Sequence, residues 1–262
     1  LPSAQTIMIL LILTSVSIAL TASILGVFAV LKRMSLAGDA FSHIALPGLG
    51  LALLLNINPF IGAFLFLAVG ALIIWRVELA SNLALESIIG VVFSLSLAVG
   101  ALITPEQELL EAMFGNILAL QQHEYLTLLF LSLAITSLLL LFSRQFILLS
   151  LSPELAQSIK IKKEIYELAY LLLFALTIAL GIRFIGALLM GALIIIPAAA
   201  AKNISRDVRS FFLTSSLIGV LSALLSMYIV LVYKQSPGPI FIIISSLFFF
   251  FSLFWQGIRQ KE

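Results

Sequence analysis

Residues 5–31 read QTIMILLILTSVSIALTASILGVFAVL, a run with no charged side chain that ends on Lys32-Arg33. A membrane-spanning helix needs about 20 predominantly apolar residues, so this stretch is long enough to cross a bilayer. It lacks the basic leader of a cleaved signal peptide and reads as a retained helix. The chain opens at Leu1 rather than Met, which predicts a start further upstream. Working outward, comparable apolar runs return near 38–56, 59–76, 85–103, 123–143, 165–182, 184–201, 210–233 and 238–257. They are long and continuous, unlike the alternating segments of about ten residues that build a membrane barrel. The expectation is an all-α polytopic membrane protein of eight or nine spans, a single transmembrane domain over 1–262. Composition agrees: 62% of the 262 residues are hydrophobic and 10% charged, with mean hydropathy +1.23, against roughly 25% charged in soluble domains.

Charge placement carries more than the net value of +2. With an external N-terminus and nine spans, twelve of the fourteen Lys and Arg fall on the cytoplasmic side and only Arg183 and Lys234 outside. That asymmetry is the positive-inside signature. It predicts a cytoplasmic C-terminus, and it explains the basic residues as topology markers rather than a nucleic-acid surface. The absence of cysteine excludes disulfides, Cys-ligated metals and thiol catalysis. No His-Glu-x-x-His, Gly-x-Ser-x-Gly or Walker lysine loop is present, so neither zinc-protease nor esterase chemistry nor ATP hydrolysis belongs to this chain.

Two inter-span segments are long. On the external side, 104–122 opens Thr104-Pro105 and repeats apolar residues at helical spacing, which predicts an amphipathic helix at the membrane surface. Glu106, Glu108, Glu111 and Glu124 there outnumber the external bases and could form an acidic vestibule that concentrates cations. The cytoplasmic segment, 150–164, contains Ser152-Pro153-Glu154-Leu155-Ala156 followed by Ile159 and three lysines. Ser152 suits an N-cap, Pro153 the first turn and Glu154 the helix dipole. The pattern leaves open whether this short helix rests on lipid headgroups or docks a partner. Gly90, Ser94 and Ala98, and Gly186 and Gly191 with Ala198–Ala201, are small-residue rows that let helices approach. Ser215, Ser216, Ser222 and Ser226 read as interhelical hydrogen-bonding groups. Pro47, Pro197 and Pro237 predict kinks or breaks.

Asp39 and His43 form the one carboxylate–imidazole pair at helical spacing in the apolar sequence. At i and i+4 they share a helix face and can offer an oxygen and a nitrogen to a divalent cation. Asp39 is equally placed to cap the second span at its cytoplasmic start, after Gly38. His43, one turn deeper, has no such alternative beyond hydrogen-bonded packing, and Ser42 lies between the two. Two ligands do not complete a site. A symmetric dimer would supply two Asp and two His, a set suited to zinc, manganese or iron(II). His123, the only other histidine, lies in an external loop.

Four blocks resemble the membrane permeases of bacterial ABC importers for zinc and manganese. They are Arg33-Met34-Ser35-Leu36-Ala37-Gly38-Asp39-Ala40-Phe41-Ser42-His43-Ile44-Ala45; Phe114-Gly115-Asn116-Ile117-Leu118-Ala119; Ser152-Pro153-Glu154-Leu155-Ala156; and Phe184-Ile185-Gly186-Ala187-Leu188-Leu189 running to Ile196-Pro197-Ala198-Ala199. Ser236-Pro237-Gly238-Pro239 also fits, and the likeness spans about residues 26–257. It implies the helical architecture of vitamin B12 permeases. It also implies a homodimer served by two cytoplasmic ATPase subunits and an external metal-binding protein, importing zinc or manganese as cargo with no resident cofactor. The resemblance assigns metal handling to Asp39 and His43. It assigns ATPase coupling to Ser152, Pro153, Glu154, Leu155, Ala156 and Ile159. One departure is Ser158-Ile159-Lys160-Ile161, where the family pattern has a glycine before the isoleucine. Rival readings are a gradient-driven metal/proton carrier and a membrane scaffold that only holds a partner.

Overall fold

The computed structural model describes residues 4–81, 83–103, 117 and 120–259. Segment 104–122, with Glu106, Glu108, Glu111 and most of the Phe114–Ala119 block, therefore lies largely outside the described residues. Among the described residues twelve α-helices follow one another: α1 (Ala4–Leu31), α2 (Ala37–Ile44), α3 (Leu46–Leu54), α4 (Pro59–Ala80), α5 (Leu85–Ile103), α6 (Gln122–Leu141), α7 (Ser143–Leu151), α8 (Pro153–Ser158), α9 (Lys163–Ile185), α10 (Met190–Ile204), α11 (Val208–Tyr233) and α12 (Pro237–Arg259). Among the described residues, nine stretches are long and apolar enough to span a membrane. They are α1, the α2–α3 pair, α4, α5, α6, α9, the Ala187–Ile204 stretch containing α10, α11 and α12.

The first span is the axis of the bundle. Ile18, Ala19, Ala22, Leu25 and Phe28 are buried around its circumference, the pattern of a helix apolar on every side. With no solvent-driven hydrophobic gain between helices in lipid, close backbone approach and hydroxyl bonds hold such contacts. Both are present. Thr21 Oγ1 bonds Thr136 Oγ1 at 2.8 Å, Ser132 Oγ donates to Ser17 Oγ at 2.8 Å, and Thr14 Oγ1 donates to the Tyr125 carbonyl at 3.2 Å, tying α1 to α6. Ser215 Oγ donates to the Ser23 carbonyl at 2.9 Å, tying α11 to α1. Ser226 Oγ donates to the Pro237 carbonyl at 3.1 Å. Two of the four serines read as interhelical groups thus serve that role, while Ser222 Oγ is buried without a partner. An aromatic file, Phe28–Phe146–Tyr170–Phe174–Phe41, then links α1, α7, α9 and α2 with ring centroids 5.0–5.9 Å apart.

The three prolines behave differently. At Pro47 the second span does break, between Ile44 and Leu46, since proline has no N–H for the carbonyl four residues back. Pro197 is the first correction: α10 runs unbroken through it. The interruption in that span comes earlier, at Gly186 (φ 87°) and a 3₁₀ turn over Ala187–Leu189. Pro237 neither kinks nor breaks a helix. It opens α12, where its missing N–H would have been unpaired anyway.

Candidate functional site

Asp39 does not cap the second span. Leu36 holds the N-cap position in αR conformation, without a side-chain cap bond, and Asp39 lies within the first turn of α2. Its carboxylate rests on the backbone of α10 instead: a Cβ built on Gly191 would overlap Asp39 Oδ1 and Cγ. Gly38 adds to the same crossing, since a Cβ there would come within 2.9 Å of Gly191 Cα. Two glycines thus bring α2 and α10 close enough for Asp39 to lie across the contact. Ser42 is not a third ligand, because its hydroxyl is buried and donates to the Gly38 carbonyl at 2.6 Å. His43, one turn along, is partly buried with its ring 5.4 Å from that of Phe93 on α5. Its Nδ1 is enclosed and has no hydrogen-bond partner.

The depth of the pair differs from the sequence expectation. Spans two and seven have opposite directions if each span crosses once, so their first turns belong at opposite faces. Both stretches have 18 residues, about 27 Å of helix, close to a hydrocarbon thickness of about 30 Å. Yet Gly38 and Gly191, near the starts of those spans, touch. Phe41 meets Phe174 midway along α9, and Ile44 meets Gly70 midway along α4. Asp39 and His43 therefore lie midway along the spans, Asp39 exposed on the outside of the chain and His43 half-buried, not at the cytoplasmic mouth of the second span.

Beside Asp39 opens a cavity of 320 Å³ between α2 and α5, lined by Met34, Ala37, Asp39, Glu86, Gly90 and Phe93 among others. Glu86, in the first turn of α5, escapes a reading based on spacing because no acid or imidazole lies one turn from it. Gly90 has nothing within 4 Å of an added Cβ, and Ser94 and Ala98 are exposed. The small-residue row on α5 is therefore not used for packing inside this chain. Among the described residues no group of three His, Cys, Asp or Glu is assembled for a metal. A tetrahedral cation held by Asp39 and His43 would need two more ligands from water or a second chain.

Two other regions resolve expectations. At the start of α6, Glu124 accepts the Gln121 backbone N–H at 2.9 Å and pairs with the Arg183 guanidinium. Neutralised in this way, it adds little negative field to a vestibule. His123 and Arg183 line a small cavity of 140 Å³ beside it. In the segment between α7 and α9, Pro153 opens α8 as read, but the Ser152 hydroxyl makes no cap bond. Its backbone, at φ −148° and ψ 73°, aims the side chain elsewhere. The apolar side also divides: Ala156 is buried, whereas Leu155 and Ile159 are 52% and 51% exposed. With Arg144, Ile147 and Leu148 of α7 they enclose an open groove of 470 Å³. Lys160 ends the helix in left-handed conformation (φ 58°), with Lys160 N–H donating to Gln157 and Ile161 N–H to Ala156 at 3.0 Å each. This is a Schellman closure with lysine where glycine is usual.

Where α1, α4 and α9 meet, a second set of charges gathers. Lys32 Nζ lies 5.0 Å from the Tyr170 ring centroid, and Lys163 pairs with Glu167 at 3.5 Å. Burial pushes the Lys32 ammonium below the usual lysine range, and the nearby Glu167 and Glu78 partly restore it.

Comparison with known proteins now adds to this geometry. Residues 4–256 match the ABC 3 transport family. The chain belongs to the ABC 3 transport family. Within the family it is 32% identical over 255 residues to the manganese import system permease protein ScaB of Streptococcus parasanguinis, covering 96% of this chain and 91% of that protein. It is 31% identical to the high-affinity zinc uptake system membrane protein ZnuB of Haemophilus influenzae, covering 93% and 95%. Its fold superposes on PsaBC from Streptococcus pneumoniae, solved in complex with Fab, with TM-score 0.80, 28% identity and coverage of 92% and 89%. The all-α ABC-permease architecture inferred from sequence is the observed one.

Proposed function

We propose that the chain is the permease subunit of an ATP-driven importer that carries a divalent transition metal, zinc or manganese, across the bacterial cytoplasmic membrane. The observation that carries this reading is Asp39. It is an intramembrane carboxylate with no Lys or Arg partner among the described residues, seated on Gly191 one turn from an imidazole whose Nδ1 is free. A carboxylate in that setting is costly unless a cation offsets it, and the manganese and zinc permeases among its relatives make the cargo the natural counter-charge. A second copy facing the unused Gly90–Ser94–Ala98 row would bring a further Asp39 and His43 towards a shared axis. Lacking ATPase motifs, the chain relies on two cytoplasmic ATPase subunits. Ser152, Pro153, Glu154, Leu155, Ala156 and Ile159 would dock them, with Leu155 and Ile159 as the apolar contact. An external metal-binding protein delivers the cation. The N-terminus is external and the C-terminus cytoplasmic, as the lysine and arginine distribution requires. Weak, transient ligation suits a site that must release inward.

The test replaces Asp39 or His43 with Ala in the assembled importer and measures initial metal uptake into proteoliposomes. Uptake falls at least tenfold while size-exclusion elution of the complex is unchanged. Wild-type uptake by both variants would sink the reading, and uptake without any ATPase would turn it to a gradient-driven carrier.

A further inference from the structure

We propose that Arg183 and Glu124 are positioning residues for the Asp39–His43 site. Their ion pair fixes the end of α9, and the turn at Gly186 carries that placement to Gly191, on which Asp39 rests. This rests on the reading of Asp39 as a ligand for the transported metal.

The pair joins α6 to α9. Among the described residues it is the one ion pair between two helices, since Lys163–Glu167 lies within α9. Its acid is itself held: Glu124 accepts the Gln121 N–H at 2.9 Å, and the carbonyl of the next residue, Tyr125, accepts from Thr14 Oγ1 of α1 at 3.2 Å. Arg183 is thereby tied to the first turn of α6 and, through it, to the central helix. Three residues later the chain turns. Gly186 has φ 87° and ψ 164°, a region open to glycine and almost closed to other residues. On a continuous helix residues 181 and 190 would lie about 13.5 Å apart, beyond the reach of one side chain. Yet a Cβ on Gly181 would overlap Met190 Sδ, so the chain folds back after Gly186. The next residue, Gly191, then meets Gly38 and Asp39. On the same turn packs α12, where a Cβ on Gly238 would come within 2.8 Å of Leu189 Cδ1 and 2.9 Å of the Ile185 carbonyl oxygen. Glycine is torsionally permissive and does not set the direction of a turn by itself, so the flanking segments must. The contacts after the joint are van der Waals packing, whereas the guanidinium–carboxylate pair before it is directional. A partly buried ion pair is weak evidence of stability, because apolar groups of similar volume often hold as well. Setting geometry suits it better. A plainer account has each charge complement a helix dipole, Glu124 in the first turn of α6 and Arg183 in the last turn of α9. That explains each residue alone but not their meeting across 59 positions of sequence.

The two accounts separate in the reconstituted importer, with manganese or zinc entry followed by an internal metal-sensitive dye and ATP hydrolysis measured in parallel. Glu124→Gln keeps a side-chain acceptor for the Gln121 N–H, so it cuts the ion pair and spares the cap. It should lower the entry rate about fivefold while binding-protein-stimulated ATP hydrolysis continues. Arg183→Gln should lose as much, the double variant no more than either alone, and Arg183→Lys should keep about half of the wild-type rate or more. The decisive arm repeats Glu124→Gln beside Asp39→Asn. Residual entry should then be unchanged, because the pair acts through Asp39, whereas a purely structural role would impose the same fold loss there. Where that residual entry is too small to read, the ratio of zinc to manganese entry in Glu124→Gln decides. A displaced ligand should change it about twofold or more, and a stability defect scales both rates alike. Wild-type rates in both single variants, losses that multiply in the double variant, an undiminished loss beside Asp39→Asn or an unchanged metal ratio each overturn the proposal. If Asp39→Asn loses entry while Glu124→Gln and Arg183→Gln do not, this inference fails and the metal-site reading stands. If Asp39→Asn transports normally, the metal-site reading itself fails. Should Arg183→Gln not assemble, Glu124→Gln decides alone.

Discussion

Lys32, Glu78, Lys163 and Glu167 gather where α1, α4 and α9 meet, and there acids and bases stand side by side. Asp39, His43 and Glu86 lie between α2, α5 and α10 with no Lys or Arg bonded to any of them among the described residues. Only the first group supplies its own neutralisation. Opposite charges brought together at helix ends repay part of their desolvation and need nothing else. Asp39 and Glu86 have no such partner among the described residues. Offset charge therefore serves architecture in this bundle, and under the proposed function the carboxylate left without a base serves the cargo.

Breaking the second group should have the largest effect. Gly191→Val puts side-chain atoms where Asp39 Oδ1 now lies, so metal uptake should fall by about two orders of magnitude, some 2.7 kcal/mol of lost transition-state stabilisation. The complex should still elute as the wild type does, and normal uptake would mean the Asp39 seat is irrelevant. A smaller change is expected from Lys32→Met in the balanced group. The partly exposed ammonium contributes cation–π and ionic terms of about 1–2 kcal/mol. The melting temperature in detergent should drop, while uptake per folded complex stays within about twofold. Adding Glu167→Gln should recover part of that loss, and strict additivity would show that the two charges are not coupled. Smallest is Lys160→Gly. Relieving a left-handed lysine that closes α8 should stabilise by about 1 kcal/mol, read as a higher melting temperature with coupling intact. A lower one would mean the lysine side chain makes a compensating contact.

How much of this was legible beforehand differs by element. All nine spans could be read from runs such as 5–31, because a bilayer demands unbroken apolar length and internal backbone pairing. Pro153 at the start of α8 was equally plain, since its effect is local. Pro197 does not break α10, because neighbouring helices hold a segment that has lost one backbone bond. The Asp39–His43 pair was visible through its i, i+4 spacing. The place of Glu86 was not, because Asp39, which lines the same cavity, lies 47 positions away in the chain.

By itself, then, the sequence determined that this chain crosses a membrane as helices, and that an acid and an imidazole share one face of the second span. Those properties depend on composition and on neighbours within a turn or two. Only the tertiary structure decided that Asp39 lies on Gly191, midway along the spans, rather than capping a helix. It alone left the Gly90 row unfilled, paired Glu124 with Arg183, and brought Glu86 to the same cavity as Asp39. Each of these depends on which helices cross and how closely two glycine backbones let them approach, and no local pattern encodes that.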